Sequence, residues 1–218
     1  MASAQQIIND AHTHIGVLPA GSELGADMSN FGLIMLNRLI DHWTVEGLAI
    51  AGQAVKTIAA TGVISYVVTP RPVKVESVSV IDSSGVQQNA RLVTSTDWSK
   101  VPDKTRTGGL AEIAYYDGGY PSAKIFLTPM PAAGSTVNLH VIEPLPAIAT
   151  LLTPVTVSTG VEKALMYNLA VDLASSLEKP VPPSVAALAA STKDALKTLI
   201  ADVFGIPMSL AVPTGAKQ

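Results

Sequence analysis

The chain has 218 residues, 48% of them hydrophobic, enough to bury a sizeable core. With 14 Lys plus Arg against 17 Asp plus Glu it is weakly acidic, so no global field holds nucleic acid or an anionic membrane to it. The lack of cysteine excludes disulfides, thiol catalysis and thiolate metal sites, and fits a reducing compartment.

The start, Met1-Ala2-Ser3-Ala4-Gln5-Gln6, lacks the basic residues and apolar run of a secretion signal, so none is expected. No window reaches the roughly 20 apolar residues that a bilayer span needs. A first helix is predicted from about Ser3 to Ile15, with Ile7, Ile8, Ala11 and Ile15 on one side and Gly16 as its stop. A second starts near Ser29 as its cap, with Leu33, Leu36, Leu39, Ile40 and Trp43 facing away from Asn37, Arg38 and Asp41.

After Gly47 the period changes to two. Ile64, Tyr66 and Val68 alternate with Ser65, Val67 and Thr69 until Pro70-Arg71-Pro72 ends the strand. Two strands, Val73 to Ile81 and Val86 to Thr94, flank the turn Asp82-Ser83-Ser84-Gly85, and Ser95-Thr96-Asp97-Trp98 reads as a helical turn capped by its serine. Ala111 to Tyr116, Ser122 to Thr128 and Thr136 to Ile142 complete the strands.

Helical periodicity then returns. From Ser158, Met166, Leu169, Ala170, Leu173 and Leu177 form one buried face opposite Asn168, Asp172 and Ser175. Glu178 to Pro183 interrupts, Ser184 caps, and a final helix puts Val185, Leu188, Ala189, Leu196, Leu199, Ile200 and Val203 inside as far as Phe204. The expected fold class is α+β: a helical bundle of N- and C-terminal helices with an inserted antiparallel β-rich module projecting from it. The boundaries are 1–46, 47–157 and 158–204, with a C-terminal arm over 205–218.

The order of motifs resembles the head-to-tail adaptor proteins of short-tailed bacteriophages, also called tail accessory or packaged-DNA stabilisation proteins. It rests on Ile15-Gly16-Val17-Leu18, Leu36-Asn37-Arg38-Leu39-Ile40-Asp41-His42-Trp43, Tyr66 with Arg71-Pro72, and Thr96-Asp97-Trp98 followed by Lys100 or Lys104. Tyr115-Tyr116-Asp117-Gly118-Gly119-Tyr120-Pro121, Ile125-Phe126-Leu127-Thr128-Pro129-Met130-Pro131 and Glu162-Lys163-Ala164-Leu165-Met166-Tyr167-Asn168-Leu169-Ala170 follow in order. The resemblance implies a virion protein assembled in the host cytoplasm: identical subunits in a dodecameric ring beneath the portal protein, extending the DNA channel and receiving a tail nozzle or tail tube protein. DNA would pass without sequence-specific binding, and no membrane or cofactor would be involved.

Beyond Phe204 the apolar residues Ile206, Met208, Leu210 and Val212 alternate, and together with Phe204 they are the candidate docking residues of an arm that adds itself to the portal or a neighbouring subunit. Arg71, between two prolines, is a candidate charge-assisted bridge between the helical and β parts. No catalytic, cofactor or metal residue is assigned. His12 and His14 point about 160° apart on a helix and read as surface histidines. Asp97, Asp103, Glu112 and Asp117 read as scattered turn and edge residues. If one served as an acid, the chain would be a virion-associated peptidoglycan-degrading enzyme; Tyr115, Tyr116 and Tyr120 as a stacking platform would make it a carbohydrate-binding tail module.

Overall fold

The computed structural model describes residues 2–19, 21–48 and 52–204, the side chains of 202–204 excepted. The elements are α1 (Ala4–His14), α2 (Ala26–Val45), β1 (Gly52–Ala59), β2 (Ser65–Val68), β3 (Lys74–Ile81) and β4 (Gln87–Val93). They continue as α3 (Ser95–Ser99), β5 (Ile113–Tyr116), β6 (Ala123–Thr128), β7 (Thr136–Glu143), α4 (Thr159–Ser176) and α5 (Pro183–Phe204). This is a mixed α/β chain that divides into two units, one of Met1–Leu48 with Ala147–Gln218, the other of Ala49–Pro146. Residues 147–157, assigned above to the β module, belong with the helices.

In the helical unit, local chemistry sets the ends of α1. Ser3 Oγ accepts from the Gln6 amide while the Gln6 side chain accepts from the Ser3 amide, a reciprocal cap. At the other end Gly16 takes φ 70°, so the Val17 and Gly16 amides reach back to the His12 and Thr13 carbonyls. Helix α2 starts at Ala26 with Gly25 as its cap; Ser29, the expected cap, is buried inside it, its hydroxyl 3.5 Å from the Leu24 carbonyl. Its inward set is Leu36, Leu39, Ile40 and Trp43, and burying Trp43 contributes on the order of 3 kcal/mol. Asn37 is not on a wet face: its amide accepts from the Ile148 N–H at 2.8 Å and donates to the Ile148 carbonyl at 3.1 Å.

Helix α4 corrects the expectation of one buried and one wet face. It packs against α1, α2 and α5, so Val161, Ala164, Leu165, Tyr167, Leu169, Ala170, Leu173 and Ala174 are all buried, while Met166 is only half-buried. A helix with neighbours on three sides must be apolar nearly all round. It ends on Glu178 at φ 52°, with the Lys179 amide on the Ala174 carbonyl. Helix α5 begins at Pro183, whose missing N–H costs nothing at a first helical position; Ser184 lies inside the helix and is not its cap. Val185, Ala189, Leu196 and Ile200 are buried, but Leu188 and Leu199, also expected inside, are exposed.

The β unit is one seven-stranded, nearly closed sheet in the order β1-β7-β3-β4-β5-β6-β2. It is not purely antiparallel: β4 and β5 run parallel, Arg91 opposite Ile113, joined by a crossover that carries α3. Helix α3 is capped by Thr94, whose hydroxyl accepts from the Asp97 amide, not by Ser95. Inward residues from six strands, including Tyr66, Val78, Val80, Ala90, Ala114, Ile125, Leu127, Val137 and Leu139, make the core, with Ala54 and Ile58 of β1 packed against it. A bulge between Val75 and Ser77 moves the inward set of β3 from Val75 to Val78 and Val80. Lys56 shares the face of Ala54 and Ile58, and its amine bonds the Thr69 carbonyl at 3.0 Å and Glu143 at 2.8 Å, pairing the one charge that this face brings inward.

Candidate functional site

Of the expected docking arm only the root falls among the described residues. Phe204 is the last helical residue of α5; its side chain and Ile206, Met208, Leu210 and Val212 lie outside the described residues. Arg71 is exposed and in no ion pair among the described residues. Its neighbour is Tyr116, whose hydroxyl donates to the Pro72 carbonyl at 2.9 Å. Burial raises the Tyr116 phenol above its ordinary range, with Arg71 pulling the other way, so this tyrosine is neutral and structural.

A cleft of about 530 Å3 opens in the β unit. Arg91 comes from β4, Asp97 and Lys100 from α3 and its cap, Asp103 and Arg106 from the crossover, Glu112 from just before β5, and Thr128 from the end of β6. The cleft thus collects three carboxylates that read as scattered in the sequence, because the parallel pairing of β4 with β5 sets the Arg91 amide on the Glu112 carbonyl at 2.8 Å. No spacing along the chain signals it. Asp117 is not among its residues; its carboxylate accepts from the Gly119 and Lys124 amides and shapes the β5–β6 turn.

Each carboxylate in the cleft is engaged. Lys100 donates to Asp97 at 3.0 Å, Arg106 to Glu112 at 2.8 Å, and Asp103 accepts from the amide and hydroxyl of Thr105 at 2.9 and 3.0 Å. The Lys100 and Thr94 hydrogen bonds hold Asp97 below the ordinary aspartate range, the reverse of what a general acid needs. Three cations face three anions, so the cleft offers no strong attraction for a polyanion. Among the described residues no three His, Asp or Glu side chains stand close enough to share a metal ion, and no helix is long and apolar enough to cross a membrane.

The same unit holds an aromatic stack. Trp98 lies 5.9 Å from Tyr115 and 6.0 Å from Phe126, Tyr115 lies 5.7 Å from Phe126, and the Lys104 amine sits 6.0 Å above the indole. Tyr115 and Tyr116, adjacent in a strand, point to opposite faces, and Tyr120 is 87% exposed in the following loop. The three tyrosines therefore build no common platform.

In the helical unit His12 is not a surface residue. It is fully buried, its Nδ1 donating to the Ile8 carbonyl at 2.8 Å; His14 is exposed and rests 5.0 Å from the Tyr167 ring. Glu46 accepts from Lys193 at 2.8 Å and lies 3.2 Å from His42. Burial raises its carboxyl, and the hydrogen bond and charge of Lys193 outweigh that, leaving it below the ordinary range. A scan against protein-family models and a search of curated proteins each return no match.

Proposed function

We propose that the chain is a structural head-to-tail adaptor of a bacteriophage virion, without catalysis. In this reading α1, α2, α4 and α5 form the helical bundle into which the sheet is inserted. Identical subunits ring the DNA channel beneath the portal protein and receive the tail nozzle or tail tube protein. The observation that supports it is the grouping of the two chain ends in one unit, with the whole sheet between them in sequence, together with the ordered motifs that resemble adaptors. A conduit must let DNA slide, and a cleft and a chain without net positive charge suit that. The arm after Phe204 attaches the subunit to the portal or a neighbouring subunit. Deleting residues 205–218 leaves a folded protein that no longer joins portal rings; undiminished attachment of the truncated protein overturns the arm's role.

The cleft gives a second reading, a peptidoglycan-degrading enzyme, some substance, since it gathers Asp97, Asp103 and Glu112. A clearing assay decides: activity that Glu112→Gln abolishes favours the enzyme, and no clearing by the intact protein favours the adaptor. Binding to cell-surface glycans that is lost in Tyr120→Ala would instead support a carbohydrate-binding tail module.

A further inference from the structure

The first turns of α4 and the second half of α5 enclose a groove of about 290 Å3, lined chiefly by Val161, Lys163, Thr192, Ala195, Leu196 and Leu199. It is apolar along most of its length, and Gly160 at its rim adds no side chain. Leu199 is 55% exposed in it, while Leu196 below is buried. A leucine on the lip of an apolar groove leaves hydrocarbon in water that a matching segment would cover.

The occupant is indicated by where the helix stops. Leu199 precedes Phe204 by five residues, about 7.5 Å along the axis, and Thr192 lies about 18 Å back. Gly205 stands where a chain can turn off a helix, and Pro207 cannot continue one. Met208 to Val212 in extended form span about 13 Å, enough to cover the roughly 10 Å of α5 from Leu199 back to Thr192, with Met208, Leu210 and Val212 on one side.

We propose that the α4–α5 groove is the seat of the chain's own C-terminal segment, residues 205–218, folded back along α5 with Met208, Leu210 and Val212 over Val161, Leu196 and Leu199. The inference stands apart from the adaptor reading and needs no portal. Where that reading also holds, leaving the groove is a step of attachment.

The chain has no cysteine, so introduced pairs report cleanly. In the full chain, Leu199→Cys with Leu210→Cys forms an intramolecular disulfide under mild oxidation. Its rate is independent of protein concentration and at least ~10-fold above that of Val45→Cys with Leu210→Cys, since a seated end exceeds the effective concentration of a merely tethered one. Val45 is a matched control: it is 87% exposed and adjoins Glu46, which pairs with Lys193 of α5. Equal rates for the two pairs, or a disulfide formed only between chains at a concentration-dependent rate, overturn the proposal. As an independent readout, removing residues 205–218 increases binding of an apolar dye, and Leu199→Asp in the truncated chain cancels the increase. No increase on truncation counts against the seat.

Discussion

Gly32 is buried on α2 where that helix meets α1, and a Cβ placed on it runs into Cγ2 of Ile8, which is itself fully buried. In an open helix Gly→Ala gains about 1 kcal/mol of propensity. Forcing a methyl into a filled core costs about 1–3 kcal/mol. The clash outweighs that gain, so Gly32→Ala lowers stability by up to about 2 kcal/mol. Ile8→Ala alone costs about 2–5 kcal/mol, but it removes the atom in the way. In that background Gly32→Ala stabilises by up to about 1 kcal/mol, which makes the coupling between the two sites about 1–3 kcal/mol. Urea unfolding of the four proteins, followed by far-UV circular dichroism at a common m value, measures it. A stabilising Gly32→Ala in the parent, or strictly additive effects, refutes the packing described for α1 and α2.

Three further outcomes are expected. Asn37→Ala leaves the Ile148 N–H and carbonyl without their side-chain partner and lowers unfolding free energy by about 2 kcal/mol in the same assay. Glu178→Gly raises stability by about 1 kcal/mol, because a left-handed backbone that glycine takes freely is strained for glutamate; a fall would show that the φ of 52° is not kept in solution. Burial raises the Asp172 carboxyl above its ordinary value of 3.8, against the pull of His42 and Lys193. The native state then keeps the proton longer than the unfolded chain, so stability is lost as pH rises from 3.8 through the folded value. Asp172→Asn therefore raises Tm at neutral pH and leaves it unchanged below that range; a lower Tm at neutral pH would contradict the assignment.

What the sequence made legible is what local chemistry decides. Ser3, Gln6 and Gly16 mark the ends of α1 through bonds within a few residues, and the alternation of Tyr66, Val67 and Val68 assigns inner and outer faces directly. Partners are another matter. Alternation is the same for parallel and antiparallel strands, so the β4–β5 pairing, and with it the cleft that gathers Asp97, Asp103 and Glu112, has no signature in spacing. On α4 the residues taken as one stripe were a subset: Val161, Leu165 and Tyr167 are apolar on the other sides because that helix has three neighbours. The two histidines of α1 do point apart, but this puts His12 in the core and His14 outside, where both were expected on the surface. Leu188 and Leu199 show the reverse error, since a periodic leucine is buried only where something covers it.

The adaptor reading meets its most direct test in electron microscopy of the purified protein mixed with cognate portal rings. It predicts an added ring of subunits on the face of the portal where the tail attaches, coaxial with the DNA channel and lost on removal of residues 205–218. Portal rings that remain bare at saturating protein would contradict it.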